Sequence, residues 1–266
     1  MIITLPNIDP VAFSLGPIAI RWYSLAYIFG ILFALFWLKK VNQKTNMMSA
    51  KALDDWLLWA VLSIIIGGRL GYVIFYNGQY FLYHPLEALA IWHGGMSFHG
   101  GLAGVIIGMA LFCKKYKINS FQLLDTLAVA APIGLMFGRF ANFMNMELYG
   151  RVTDGNFGII FPNAGNLPRH PSQLYEALLE GLILFIILFC LYNFSKMKEK
   201  FGALGGTFLA GYGCFRMLIE NFRQPDEQLG FIFFHITMGQ LLSLPLIIGG
   251  VTLIIYSYHK YGNKKI

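Results

Sequence analysis

Four short runs in this 266-residue chain gather arginine, glutamate, asparagine and histidine at helical spacing within otherwise apolar sequence. In GRFANFMNMELYG at 138–150, Arg139 and Asn142 share one helical face, and Asn145 and Glu147 follow within about two turns. Tyr212, Arg216, Glu220 and Arg223 recur at i, i+4, i+8 and i+11, a stripe down a single face. RHPSQLYEALLEG at 169–181 supplies Arg169 and His170, a proline near a helix start, and then Glu176 and Glu180 at i, i+4. HGGLAG at 99–104 opens a further apolar run on His99. Guanidinium forks match phosphate oxygens, and imidazole moves protons near neutral pH. Together they are candidates for binding an anion such as phosphate.

Each run also has a plainer reading. A single arginine at a helix end would merely snorkel toward the headgroups, but two asparagines and a glutamate beside it are costly in a membrane unless they face a partner or a cavity. Glu220 can neutralise Arg216 or Arg223 as a structural ion pair, leaving the other arginine for an anion. Glu176 and Glu180 need partners, and balancing arginines from other helices suits them better than direct catalysis. Gly100, Gly104 and Gly108 form a small-xxx-small ridge that reads as close helix packing. His99 beside it serves equally well as a capping or hydrogen-bonded residue.

Helices must hold these runs, and composition puts the helices in a bilayer. The chain is 57% hydrophobic and only 12% charged, against about 25% charged in a soluble domain. Apolar runs near the roughly 20 residues that cross a hydrocarbon core predict transmembrane helices at 16–38, 56–76, 97–113, 121–138, 174–194, 203–221 and 237–257. The fold class expected is therefore an all-α polytopic membrane protein with seven transmembrane helices. It forms a single domain over 1–266 with a small outer segment near 143–172. MIITLPNIDP has neither a basic n-region nor a cleavage pattern, so the first span is expected to stay in the mature protein.

All 13 lysines fall in the breaks after spans one, three and five and in the C-terminal tail. The seven arginines, at 21, 69, 139, 151, 169, 216 and 223, fall toward the opposite side. The positive-inside rule makes the lysine side cytoplasmic, which predicts a periplasmic N-terminus and a cytoplasmic C-terminus. Topology needs only point charges, so confining arginine to the outer side predicts its recruitment for anion binding. The net charge of +7 needs no nucleic-acid partner, because lysines beside anionic lipid account for most of it.

Other chemistries lack their marks. There is no G-x-x-x-x-G-K-[ST], no H-E-x-x-H and no G-x-S-x-G, and the carboxylates are too dispersed for a two-metal phosphoryl-transfer site. No metal and no cofactor is expected. Cys113, Cys190 and Cys214 lie scattered in apolar stretches and read as small helix residues.

Residues 138–150 satisfy every fixed position of G-R-x-[GA]-N-F-x-N-x-E-x-x-G, and the sequence thereby resembles the prolipoprotein diacylglyceryl transferase family. RWYSLAY at 21–27, HGGLAG at 99–104, HPSQLYE at 170–176 and the Tyr212 to Arg223 stripe resemble that family's other blocks, in the same order. Departures are small: Ala103 stands where the family more often has a larger aliphatic residue, and Ala141 takes the permitted alternative to glycine.

The resemblance implies a seven-helix bundle in the bacterial inner membrane with its site open to the periplasm. The reaction it implies moves sn-1,2-diacylglyceryl from phosphatidylglycerol to the lipobox cysteine of a prolipoprotein signal peptide, forming a thioether and releasing glycerol phosphate. A free thiol of pKa about 8.5 is only a few per cent thiolate at neutral pH, so a base helps, and His99 is the implied acceptor. Arg139 and Arg216 are the implied catalytic phosphate clamp. Tyr23, Asn142, Asn145, Glu147, Gly150, Tyr212 and Glu220 are implied as further substrate-binding positions. Two rivals stand beside this reading: a secondary transporter for an anionic solute, whose usual internal repeats are absent here, and another lipid-headgroup transferase sharing the bundle.

Overall fold

A computed structural model describes residues 2–16, 18–155, 157–225, 231–233 and 236–261. The main elements are seven apolar helices: α1 (Trp22–Thr45), α2 (Ala50–Phe75), α3 (Phe98–Tyr116), α4 (Ser120–Met144), α5 (Ser172–Phe194), α6 (Ala203–Ile219) and α7 (Met238–Tyr261). Six of them, 19 to 26 residues long, are long and apolar enough to cross a membrane. The other, α6, has 17 residues and rises about 26 Å.

Every predicted span overlaps one of these helices, and the differences lie at the ends. The span predicted from residue 16 begins too early, because Gly16, at φ 61°, turns the chain between two short strands. These strands, β2 (Val11–Leu15) and β3 (Ile18–Arg21), pair antiparallel. At its other end α1 runs on through Lys39, Lys40 and Lys44, since lysine is a good helix former whose stem reaches out of lipid. Short strands also modify the all-α expectation elsewhere: β1 (Ile2–Thr4) pairs parallel with β4 (Gly158–Ile160), and β5 (Phe231–Phe233) pairs antiparallel with β6 (Ile236–Thr237).

The chain divides into two compact units, residues 39–123 and residues 1–38 with 124–266. In the first of these, α2 and α3 touch backbone to backbone. A Cβ added at Gly104 would come within 2.3 Å of the Ser63 carbonyl oxygen and 2.8 Å of Gly67 Cα, and one at Gly100 within 2.4 Å of the Gly67 oxygen. The glycine ridge is thus a packing device, as its spacing predicts. Gly104→Val is expected to force the helices apart and lower stability by about 2–3 kcal/mol, read as a drop in the thermal unfolding midpoint in detergent.

Arg69, also in this unit, is 7% exposed and spends its guanidinium on carbonyls. Its Nε donates to Ala88 O at 2.8 Å, Nη1 to Gly94 O at 2.5 Å and Gly95 O at 3.1 Å, and Nη2 to Glu87 O at 2.7 Å. That fan holds the 85–95 segment, which is largely 3₁₀-helical, onto α2. Ser97 then caps α3, accepting from the Gly100 N–H at 3.1 Å while its own N–H donates to Gly68 O at 2.9 Å.

In the larger unit, side chains gather at both ends of the helices. At one end Asp125, buried near the start of α4, accepts from the Gly202 and Gly205 N–H groups at 2.8 and 2.7 Å and so caps α6 from outside. Lys200 donates to the Tyr261 carbonyl at 2.8 Å, tying the entry to α6 to the last turn of α7. The opposite end collects the first turn of α1, the last of α4, the first of α5, the last of α6 and the first of α7, and it holds Arg139, Arg216 and Arg223.

Candidate active site

Helix α4 delivers Arg139 and Asn142 on one face, and the chain then reverses within six residues. Met146 and Leu148 take φ values of 53° and 55°, left-handed backbone that side chains with a Cβ resist. Four hydrogen bonds over-determine the turn. Glu147 N–H donates to Asn142 O at 2.9 Å, and Asn163 Nδ2 to Met146 O at 2.9 Å. Gln173 Nε2 donates to Glu147 O at 2.6 Å, and Ser172 Oγ to Leu148 O at 2.9 Å. Beneath it Met146, Ile159 and Phe161 form a small buried core packed by Leu5, Phe143, Tyr149 and Ala164.

The turn brings Glu147 back to the start of α1. Tyr23 donates to Glu147 Oε2 at 2.9 Å and accepts from Asn142 Nδ2, whose Oδ1 lies 3.5 Å from Arg139 Nη1. Asn145 has a buried Oδ1 with no hydrogen-bond partner among the described residues.

Behind this chain lies a buried ion cluster centred on Glu176. Residues Ala177–Ile183 of α5 wind as a π-helix, a rare form concentrated at functional sites, between Glu176 and the rest of the helix. Both Glu176 and Glu180 side chains are fully buried. Arg139 Nε lies 2.8 Å from Glu176 Oε2, an ion contact without hydrogen-bond alignment, and Nη2 lies 3.5 Å from Glu180 Oε2. Arg216 Nη1 donates to Glu176 Oε1 at 2.5 Å and lies 4.0 Å from Glu180 Oε1, while Nη2 lies 3.0 Å from Glu220 Oε2. Arg223 Nη1 lies 3.8 Å from Glu176 Oε1. Burial, and then the Arg216 charge beside it, lower the Arg223 pKa from its ordinary value. Glu220 Oε1 accepts from Thr237 Oγ1 at 2.9 Å, so the end of β6, directly before α7, joins the cluster as well. Tyr212, one turn before Arg216, stands within electrostatic reach of Arg139, Glu176 and Glu180.

The structure therefore brings Tyr23, Arg139, Asn142, Asn145, Glu147, Tyr212, Arg216 and Glu220 to one end of one unit. Gly150 is there too, at a backbone crossing. Its N–H donates to His170 O at 2.8 Å, and a Cβ on it would meet the His170 and Phe222 carbonyl oxygens at 2.5 Å. His99 belongs to the other unit, in the first turn of α3, with its imidazole exposed and its ring against Phe98. Glu176 and Glu180 balance arginines of other helices, the role their spacing favoured.

One expectation needs correcting: an arginine placed away from the lysine-rich breaks does not by itself mark an anion site. Arg69 holds carbonyls. Arg151 does the same, donating from Nε to Arg223 O at 2.8 Å and from Nη2 to Glu220 O at 3.1 Å. Arg169 Nη1 donates to Gly150 O at 3.2 Å, and its guanidinium lies 4.9 Å from the Tyr149 ring centre. Five fixed donors satisfy carbonyls where water is scarce as readily as they grip phosphate. Among the described residues no group of three or more His, Cys, Asp or Glu is placed to hold a metal ion.

Comparison with known proteins agrees with this geometry. The sequence profile of the family described as prolipoprotein diacylglyceryl transferase matches residues 10–256. The chain is similar to the phosphatidylglycerol–prolipoprotein diacylglyceryl transferase of Rickettsia akari, with 51% identity over 258 residues covering 97% of this chain and 100% of the relative. Enzymes of the same name from Paramagnetospirillum magneticum and Rhodospirillum rubrum are each 50% identical, over 96% and 94% of this chain and 96% and 92% of their own length. Matched over nearly its whole length, and with the signature residues of 138–150 built into the buried ion cluster and the turn beside it, this chain belongs to the prolipoprotein diacylglyceryl transferase family.

Proposed function

We propose that the chain transfers the sn-1,2-diacylglyceryl group of phosphatidylglycerol to the lipobox cysteine thiol of prolipoproteins, the first step of lipoprotein maturation. The sulfur attacks the glycerol carbon that bears the phosphate, and a thioether bond forms. The carbon–oxygen bond breaks, its electron pair leaves on the phosphate oxygen, and glycerol phosphate departs. One observation carries the reading: two guanidinium groups from different helices, Arg139 and Arg216, are fixed by a single buried carboxylate, Glu176. Each has five N–H donors, more than its carboxylate contacts occupy, so the pair is preorganised for phosphate oxygens. Asn142, Tyr23 and Glu147 orient Arg139, and Glu220 holds Arg216, with Tyr212 one turn before it. His99 is the proposed acceptor for the thiol proton. Purified protein, labelled phosphatidylglycerol and a lipobox peptide test the reading: label should move to the peptide cysteine, and no transfer would defeat it.

The same reading places seven spans in the inner membrane, with the N-terminus and the arginine end periplasmic and the C-terminus cytoplasmic. Its support is the lysine distribution, together with the Lys200 to Tyr261 tie at the end of the larger unit opposite the arginines. Single cysteines introduced near Asn119 and near Asn163 should react with an impermeant maleimide only from the cytoplasmic and only from the periplasmic side, respectively. The reverse pattern would overturn the orientation.

A further inference from the structure

The ion cluster is balanced in a way that bears on which lipid it admits. Arg139, Arg216 and Arg223 face Glu176, Glu180 and Glu220 through contacts of 4.0 Å or less. Fully ionised, these three cations and three anions, counted among the described residues, leave no net charge between them. A phosphodiester brings one negative charge, and a neutral, poorly hydrated site offers little to offset the loss of its hydration.

Glu180 is the weakest-held member. Its side chain is fully buried, and its cations lie at 3.5 and 4.0 Å. Glu176, one turn earlier on the same helix, takes the 2.8 and 2.5 Å contacts from the same two arginines. Glu220 has Arg216 at 3.0 Å and the Thr237 hydroxyl. The charged and titratable groups facing Glu180 are Arg139 from α4, Arg216 and Tyr212 from α6, and Glu176 from its own helix. Two buried carboxylates sharing two guanidiniums do not ionise independently, and the less well-solvated one is the one that keeps a proton.

We infer that Glu180 binds a proton when a phosphodiester headgroup enters, so that the cluster presents one net positive charge to a lipid carrying one negative charge. Glu180 thereby selects for an anionic phosphodiester over a zwitterionic headgroup. This deepens the transferase reading and rests on it for the identity of the lipid.

Binding of short-chain phosphatidylglycerol to the full-length protein in detergent, without peptide, tests the idea by calorimetry from pH 6 to 9. Uptake of one proton makes the wild-type Kd rise with pH, approaching tenfold per pH unit at the alkaline end. In Glu180→Gln, whose carboxamide is neutral throughout, that dependence should vanish, while any slope due to His99 or His170 would remain. Preference for phosphatidylglycerol over short-chain phosphatidylcholine should fall with pH in the wild type and hold constant in the variant. A flat wild-type profile, an unchanged slope in Glu180→Gln, or a folded variant that binds no phosphatidylglycerol would each overturn the inference. If the variant does not fold, the wild-type slope and headgroup preference decide alone. Lipidation of a lipobox peptide by the wild type separates the two claims: transfer with a flat Kd profile sinks only the role of Glu180, whereas the expected profile without transfer sinks only the transferase reading.

Discussion

Replacing Arg139 or Arg216 by lysine should lower the initial rate of peptide lipidation at least about tenfold, equivalent to roughly 1.4 kcal/mol of lost transition-state stabilisation. Charge is preserved in both variants, so the loss isolates geometry. Arg216 spans two carboxylates with separate nitrogens, Nη1 on Glu176 and Nη2 on Glu220, and so joins α5 to α6. An ammonium is a single point charge that cannot hold both and still present donors to a phosphate. Arg139 likewise divides Nε and Nη2 between Glu176 and Glu180. Rates measured in detergent at matched protein amounts, with thermal unfolding alongside, check the expectation. Near-wild-type rates in both lysine variants would leave these arginines as ion-pair partners only.

Glu176→Gln should produce the largest loss of stability of any single substitution in the cluster, about 3–5 kcal/mol. A buried ion pair adds little net stability when whole, because desolvation offsets attraction. Breaking it strands charge in a medium that cannot solvate it. Here one carboxylate serves three guanidiniums, at 2.8, 2.5 and 3.8 Å, so its neutralisation strands more than one. Glu147→Gln is the contrast. That carboxylate is exposed, and its hydrogen bond from Tyr23 survives in the amide, so stability should scarcely change. A comparable drop in unfolding midpoint for the two variants would contradict the hub assignment.

The helices were legible because their signal is composition over about 20 residues, which tertiary context seldom overrides in a bilayer. Their ends were not. Ile18 to Ile20 are as apolar as a span, and only the turn at Gly16 makes them part of a hairpin. The arginine stripe on α6 and the 138–150 run were readable as one-dimensional spacing. Their joint dependence on Glu176 was not, because a carboxylate on a third helix is invisible until the helices are packed. Gln173, Ser172 and Asn163 escaped notice for a related reason: each bonds a carbonyl of the left-handed turn, and nothing in local sequence announces that Met146 and Leu148 will adopt it. Asp125 was missed because its role as a cap is exercised on α6 rather than on its own helix.

The shortness of α6 has a consequence for the lipid around it. On the proposed seven-span reading, a rise of about 26 Å falls a few ångströms below a typical hydrocarbon thickness of about 30 Å, a mismatch that local thinning of the bilayer would relieve. Asp125 caps one end of α6, and Arg216 stands in the last turn at the other. Thinning at that end would bring the phosphate plane toward the guanidinium groups and shorten the path of a headgroup through acyl chains. Membrane thickness would then be a variable of the reaction: bilayers of longer-chain lipids are expected to slow the enzyme even when the headgroup is unchanged.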